Sequence, residues 1–289
     1  FTLFDDPALG ILAGTPQGLM RVSGGGELEA AVVYGSRVSE PVHGLHRDPD
    51  GTLWLCSERL GLLRIRPDGG KLVIGQEAGL AGYPRVVTRD TSGNLWVGTT
   101  AGLFLVARDA VIAIGRHAGG FDDAVLQITE DAFGRLWLGT TRGLLCVYLE
   151  DLERLARTTA SDQAVAVRML HLGSSDGVPG GRCMGGAASH GGPRRGSIWF
   201  PFENGVAVVE PTTVEFSGRP PVVTLEGVRV NGKPVFDNAV PQPGALILEP
   251  GARNIVFQFA ALAPGESDSV RFRYRVDGVR QGWSPVQAE

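Results

Sequence analysis

Five histidines are the obvious proton carriers and metal ligands in this 289-residue sequence, and their spacing suits neither task. They are His43, His46, His117, His171 and His190. No His-x-Glu pair, and no pair of histidines with a neighbouring Glu, gathers them into a ligand set. His43 and His46 stand three apart, so on a strand they face opposite sides. His190 falls in a Gly-rich stretch. Cys56, Cys146 and Cys183 are far apart and have no zinc or redox spacing. Their odd number leaves at least one unpaired, and free thiols are usually buried. Asp48-Pro49-Asp50-Gly51 opens like a calcium loop but lacks the later ligands and the closing Glu, so it reads as a hairpin turn. There is no nucleophile elbow and no phosphate-binding loop. No catalytic residue, no metal and no cofactor is expected.

The elements that position the remaining polar side chains come from a repeat. An Asp, a glycine turn, a Trp six residues after the Asp, then Gly-Thr and Gly-Leu recur along the chain. The pattern reads DPDGTLWLCS from Asp48, DTSGNLWVGTTAGL from Asp90 and DAFGRLWLGTTRGL from Asp131. A degenerate copy, DPALGILAGTPQGL, starts at Asp6 and has Leu12 where the Trp would stand. The steps between these Asp residues are 42, 42 and 41. A period near 42 built from short turn-separated β segments is that of a β-propeller. In one copy, residues 86–90 alternate as a strand, Thr91-Ser92-Gly93-Asn94 is turn chemistry, and residues 95–99, 103–106 and 111–114 supply three more strands. Four short antiparallel strands make one blade. The Trp is expected to pack between blades and Gly98 and Gly139 to admit a neighbouring backbone. Thr99 and Thr140 are expected to hydrogen-bond the following hairpin.

A fifth, stretched copy places Ser197-Ile198-Trp199-Phe200 after a Gly-rich insertion over 176–196, expected to be a surface excursion. The expected blades are 1–40, 41–82, 83–123, 124–165 and 166–212. The expected fold is all-β: about five four-stranded blades, part of a larger ring, followed over 213–289 by an immunoglobulin-like β-sandwich. Because the sequence begins at Phe1 inside a repeat, it is expected to be a piece of a longer polypeptide.

With the repeated slots assigned to scaffold, specificity should lie in what varies between copies. The loops between second and third strands hold Gln17, Arg59, Thr100, Arg142, Glu203 and Asn204. The loops leading into the first strand hold His43, Tyr83, Arg85, Asp122 and Asp123. Arg59, Tyr83, Arg85 and Arg142 are the leading candidates, with His43, Asp122 and Asn204 beside them. A pair of arginines near the central channel would suit a carboxylate or sulfate by bidentate hydrogen bonding.

The ordered motifs resemble a known family. GNLWVGTTAGL (93–103) and GRLWLGTTRGL (134–144) are similar to two-component regulator propeller repeats. Asp176-Gly177-Val178-Pro179, Cys183-Met184-Gly185-Gly186, Ile198-Trp199-Phe200-Pro201 and Asn204-Gly205-Val206 resemble their closing blade. Beyond Glu210-Pro211 come Pro220-Pro221-Val222-Val223, an Asn231-Gly232 hairpin turn, NIVFQFAAL (254–262), VRFRYRVDG (270–278) and Trp283. This series resembles the Y_Y_Y domain, which in the family continues past the point where Glu289 falls. The resemblance implies the periplasmic sensor region of a receptor with a histidine kinase or diguanylate cyclase output. It also implies a non-catalytic domain that binds a small-molecule or oligosaccharide cue, acts as a homodimer and reaches the membrane through other segments. Two alternatives are a protein-interaction scaffold without a small ligand, and a propeller enzyme similar to streptogramin lyases, for which the clustered catalytic histidines are missing.

Bulk composition agrees with a packed domain. Hydrophobic residues make up 43% of the chain, and its 42 glycines suit many tight turns. The net charge of −4, with no basic stripe, excludes nucleic acid as an expected partner. No apolar run reaches the roughly 20 residues that cross a bilayer.

Overall fold

The computed structural model describes residues 2–107, 110–114, 123–157, 167–185, 189–190, 196–214, 222–237, 250–251 and 253–262. These fall into two compact units, 2–214 and 222–262.

The first unit is a series of propeller blades. Blade 1 comprises Thr2–Asp6, Gly10–Thr15, Gly18–Val22 and Leu28–Ala30. Blade 2 comprises Val42–Arg47, Leu53–Ser57, Gly61–Ile65 and Lys71–Ile74. Blade 3 comprises Pro84–Arg89, Leu95–Thr99, Gly102–Ala107 and Ala110–Ile114. Blade 4 comprises Val125–Glu130, Arg135–Thr140, Leu144–Tyr148 and Met169–Leu172. A fifth sheet pairs Ser189–His190, Ile198–Phe202 and Gly205–Val209. The first strands of blades 1 to 4 touch one another in sequence, which makes them the innermost strands.

Blades pack by a fixed rule. In blades 2 to 4 the second-strand Trp faces the aliphatic residues of the next blade or sheet. Trp54 packs with Val87, Leu95 and Val97, Trp96 with Val125, Ile128, Leu136 and Leu138, and Trp137 with Ile198 and Phe200. The six-residue spacing from Asp to Trp has a polar cause. The indole Nε1 of Trp54, Trp96 and Trp137 donates to Asp48, Asp90 and Asp131 at 2.8, 2.7 and 2.8 Å. The same carboxylate also latches blade to blade. Arg47 donates to Asp6 at 3.0 Å, and Arg89 donates to both oxygens of Asp48 at 2.6 Å. At the next slot stands Glu130, which cannot pair with Asp90 and instead accepts from the Thr91 amide and hydroxyl at 2.7 and 2.6 Å. In the degenerate first copy Leu12 offers no side-chain N–H, and the buried Asp6 Oδ2 has no hydrogen-bond partner among the described residues.

Close approach of backbones explains one glycine slot. A Cβ at Gly98 would sit 2.6 Å from the Val125 carbonyl oxygen. Blade 2 carries Cys56 in that slot, and the residue paired with it is Gly44, where a Cβ would meet the Arg85 carbonyl oxygen at 2.7 Å. The volume is exchanged across the strand pair. The expected hydroxyl bonds are present: Thr99 and Thr140 donate to the Gly102 and Gly143 carbonyls at 3.3 and 2.9 Å.

Two expectations are corrected in blade 4 and its successor. The outer strand of blade 4, Met169–Leu172, lies beyond the 124–165 span, because the helix Leu149–Arg157 intervenes and buries Leu149 and Leu152 against blades 3 and 4. The 176–196 stretch is not simply a surface excursion. Cys183 is fully buried and bridges Phe202, supplying the innermost position of the fifth sheet. All three cysteines are buried and free, and burial pushes the Cys183 thiol up to about 11.

The chain leaving the fifth sheet is held by Arg135, which is 4% exposed. Its guanidinium donates to the Pro211 and Val214 carbonyls at 2.6 and 3.0 Å and to Asp131 at 2.7 Å. In the second unit, Val222–Val230 pairs antiparallel with Lys233–Asp237 and Ile255–Leu262. Asn231 and Gly232 both have positive φ, 50° and 81°, as a two-residue type I′ hairpin requires. The strand expected over 270–278 and Trp283 lie outside the described residues.

Candidate functional site

On three successive innermost strands the pairing register slips by one residue, between Val42 and Gly44, Pro84 and Val86, and Val125 and Gln127. The extra residues are His43, Arg85 and Leu126. A β-bulge leaves its residue out of the ladder and re-aims its side chain, and bulges concentrate beside functional sites. His43 and Arg85 are 42 residues apart, so the repeat places two polar side chains at equivalent points of adjacent blades. In the fifth sheet Cys183 bridges Phe202 as Val125 pairs with Thr140, which puts the exposed Met184 in the same row as Leu126. The row is polar over blades 2 and 3 and apolar over blade 4 and the fifth sheet.

His43, Arg85 and Glu58 form one cluster. Arg85 Nη1 lies 3.2 Å from His43 Nδ1 and 3.1 Å from Nε2, and Nη2 donates to Glu58 Oε2 at 3.2 Å. Glu58 Oε2 lies 3.3 Å from His43 Nε2. Partial burial and the adjacent Arg85 charge lower the His43 pKa, outweighing the opposing pull of Glu58. The shift favours the neutral imidazole. With its proton on Nε2 the ring would donate to Glu58 and accept from Arg85 at Nδ1. A guanidinium held by a neutral imidazole and one exposed carboxylate suits an incoming anion that displaces Glu58.

The other expected residues are distributed differently. Arg59 is an exposed side chain 3.5 Å from Glu40. Arg142 reaches Asp123 at 3.3 Å, and Asp123 also accepts from the Arg142 amide at 3.0 Å and from the Thr141 hydroxyl. Burial of Asp123 is outweighed by these hydrogen bonds and by Arg142, so its pKa is lowered. Each arginine thus has its own acidic partner, in place of the expected arginine pair. Tyr83 exposes its ring while its backbone is pinned: its amide donates to the Thr100 hydroxyl at 2.9 Å and its carbonyl accepts from the Thr100 amide at 3.0 Å. Gln17 is exposed beside Thr15, whose hydroxyl accepts its amide at 3.1 Å. Asn204 sits exposed beside Glu203, which pairs with Arg182 at 2.8 Å. Asp122 lies outside the described residues. Glu58, Leu126 and Met184 were not anticipated. Glu58 could have been noticed because the second copy reads Ser-Glu-Arg where the later copies begin Thr-Thr.

His46 belongs to the scaffold, with Nε2 3.3 Å from Asp48. Asp48-Pro49-Asp50-Gly51 is a turn, closed by the Gly51 amide donating to the Asp48 carbonyl at 2.9 Å. Among the described residues no group of three His, Cys, Asp or Glu side chains could hold a metal, and no helix is long and apolar enough to cross a membrane. A crevice of about 390 Å³ on the outer rim of blades 2 and 3, lined by Gln76, Gly79, Ala81, Phe104, Val111 and Ala113, shares no residue with the His43 cluster.

Comparison with known proteins agrees with this architecture. Residues 119–142 match the family described as two component regulator propeller. No curated protein matches the chain. Among solved structures, the extracellular domain of BT3049 from B. thetaiotaomicron, named as a hybrid two component system, is 18% identical with a TM-score of 0.57, over 98% of this chain and 38% of that one. The extracellular domain of BT4673 from the same organism, named as a one component system, is 16% identical with a TM-score of 0.50, over 100% of this chain and 38% of that one. A streptogramin B lyase structure is 13% identical with a TM-score of 0.45, over 73% of this chain and 68% of that one, too distant to carry an argument about activity. This chain spans 38% of the length of the first two structures and shares their propeller fold.

Proposed function

We propose that this chain is part of the extracytoplasmic sensor region of a bacterial signal-transduction receptor and that its propeller binds a cue without catalysing a reaction. The observation that carries the reading is the convergence of His43 and Arg85, at bulges on two adjacent innermost strands, with Glu58 from the loop after the second strand of blade 2. Titratable groups gathered where bulges free side chains from the ladder are a feature of binding sites. The likeness in fold to extracellular domains of two-component and one-component systems supports the same reading, as does the two component regulator propeller match at 119–142.

In this reading Arg85 takes an acidic group of a small molecule or oligosaccharide, and Tyr83, Leu126 and Met184 offer apolar surface nearby. The region is periplasmic, and residues 213–289 belong to a Y_Y_Y-type immunoglobulin-like domain. The receptor works as a homodimer with a kinase or diguanylate cyclase output elsewhere in the polypeptide. A cue changes the balance of two dimer states only through a difference in its affinity for them. The test is a thermal-shift and calorimetric screen against acidic oligosaccharides and amino acids, run on the wild type and Arg85→Ala. At least one compound should raise the wild-type Tm, and Arg85→Ala should keep its own Tm while losing that response. No response from any acidic compound, or an unchanged response in Arg85→Ala, would overturn the reading.

A further inference from the structure

One loop of blade 2 departs from its neighbours at the His43 cluster. In blades 3 and 4 the residue after the second strand is a threonine that fastens the blade's own entry loop. Thr100 accepts the Tyr83 amide at 2.9 Å, and the Thr141 hydroxyl donates to Asp123. A second tie comes from the following arginine: Arg142 reaches Asp123 at 3.3 Å, and Arg59 in blade 2 reaches Glu40 at 3.5 Å. Blade 2 keeps this second tie and gives up the first. One repeat before Tyr83 stands Pro41, which has no N–H to be held. Glu58 takes the threonine slot, and the loop is longer. Residues 58–60 separate Ser57 from its partner Gly61, whereas only 100 and 101 separate Thr99 from Gly102. With no entry loop to fasten, Glu58 turns to the next blade. Its Oε2 accepts from Arg85 Nη2 at 3.2 Å and lies 3.3 Å from His43 Nε2. The Glu58 side chain is 44% exposed and that of Arg85 27%, so the pair occupies the guanidinium without sealing it from solvent.

We propose that Glu58 is a tethered competitor: its carboxylate stands in for the acidic group of the cue at Arg85 and sets the concentration at which that cue binds. The proposal rests on the reading of Arg85 as an anion-binding residue. Glu58 has the chemistry of the group it replaces, a carboxylate on a guanidinium, and its partners are the two bulged side chains rather than the loop that the threonines hold. A ligand binds only the fraction of molecules in which Arg85 is open, so its apparent Kd is the intrinsic Kd divided by that fraction. A part-exposed ion pair favours its closed form by a factor of about 2–5. Removing the Glu58 carboxylate should therefore tighten anion binding about three- to sixfold. The device biases the site against small acids, which have only Arg85 to gain. A cue that also touches Tyr83 or Leu126 has further contacts with which to displace Glu58.

The experiment titrates sodium acetate, as the simplest carboxylate probe, into the full chain at constant ionic strength. The readout is the NMR signal of the Arg85 Nε–H group, assigned by its loss in Arg85→Ala. The probe spans about 0.1 to 100 mM, the range for a single charge-assisted contact. Two variants are compared with the wild type: Glu58→Thr, which installs the residue that blades 3 and 4 carry in this slot, and Glu58→Gln, which keeps the shape and removes the charge. Circular dichroism and Tm confirm that both fold, and either one suffices for the comparison. Acetate should shift the signal in all three chains. The Kd should fall about three- to sixfold in Glu58→Thr, with Glu58→Gln between that and the wild type because its amide oxygen still accepts from Arg85. Equal Kd values in the wild type and the variants would overturn the proposal while leaving Arg85 as an anion site. Weaker binding in the variants would overturn it too, since Glu58 would then be holding Arg85 in place for the ligand. No shift in any chain would overturn both the proposal and the reading of Arg85 on which it rests.

Discussion

Replacing Asp48 by Asn tests the polar ladder that runs from blade to blade. In the native chain, Oδ1 accepts from Arg89 Nε at 2.6 Å and faces His46 Nε2 at 3.3 Å. Oδ2 accepts from Arg89 Nη2 at 2.6 Å and from Trp54 Nε1 at 2.8 Å. Asn keeps the shape but has one oxygen, so its amide nitrogen must confront donors on one side. Breaking a largely buried ion pair by removing one partner costs about 3–5 kcal/mol. For a unit of this size each kcal/mol lowers Tm by about 2–4 °C, so Asp48→Asn should melt about 6–20 °C below the wild type. The exposed Arg182–Glu203 pair is the control, and Glu203→Gln should cost less than about 1 kcal/mol. The pH dependence follows from the same contacts. Burial opposes ionisation of Asp48, but hydrogen bonds from His46, Arg89 and Trp54 outweigh it and hold its pKa well below the usual carboxylate range. The stabilisation is thus present above the unfolded carboxylate pKa of about 4 and disappears as pH falls through the depressed folded value. Differential scanning calorimetry from pH 8 to strong acid reads both effects. An Asp48→Asn chain that melts within about 2 °C of the wild type at pH 7 would refute the idea that the ladder stabilises the ring.

Trp137→Ala should lose about 3–5 kcal/mol in urea unfolding, because the ring fills the seam with Ile198 and Phe200. Gly98→Ala should cost about 1–3 kcal/mol, since its Cβ meets the Val125 carbonyl oxygen, as read from the denaturation midpoint. His43 should make the unit less stable as pH drops below about 6.5, because the unfolded chain takes up the proton before the folded one does. A Tm–pH profile of His43→Gln should lack that slope.

The Asp-Trp repeat made most of the fold readable, because one spacing encodes both a strand position and an indole-carboxylate hydrogen bond. The Thr99 and Thr140 turns were readable for the same reason: their hydroxyl partners lie three residues away. Features that depend on distant partners were harder to see. Cys183 becomes an innermost residue only by bridging Phe202, and a Gly-rich neighbourhood concealed that. The helix Leu149–Arg157 was signalled by Glu150 and Asp151 at its start and Arg154 and Arg157 at its end, but the propeller period drew attention away from it. His43 and Arg85 were identified from loop position. Their convergence on Glu58 depends on two bulges that no local pattern announces.

Arg135 gives the exit from the propeller a mechanical character. Pulling on the segment after Val209 does not simply peel off the last sheet, because Pro211 and Val214 are tied to blade 4 through a guanidinium shielded from water. Load applied there passes to blade 4 through two charge-assisted bonds at once, from Arg135 to the Pro211 and Val214 carbonyls. The exit either moves as a rigid extension of blade 4 or lets go abruptly, since a buried arginine stripped of its acceptors has no stable halfway position.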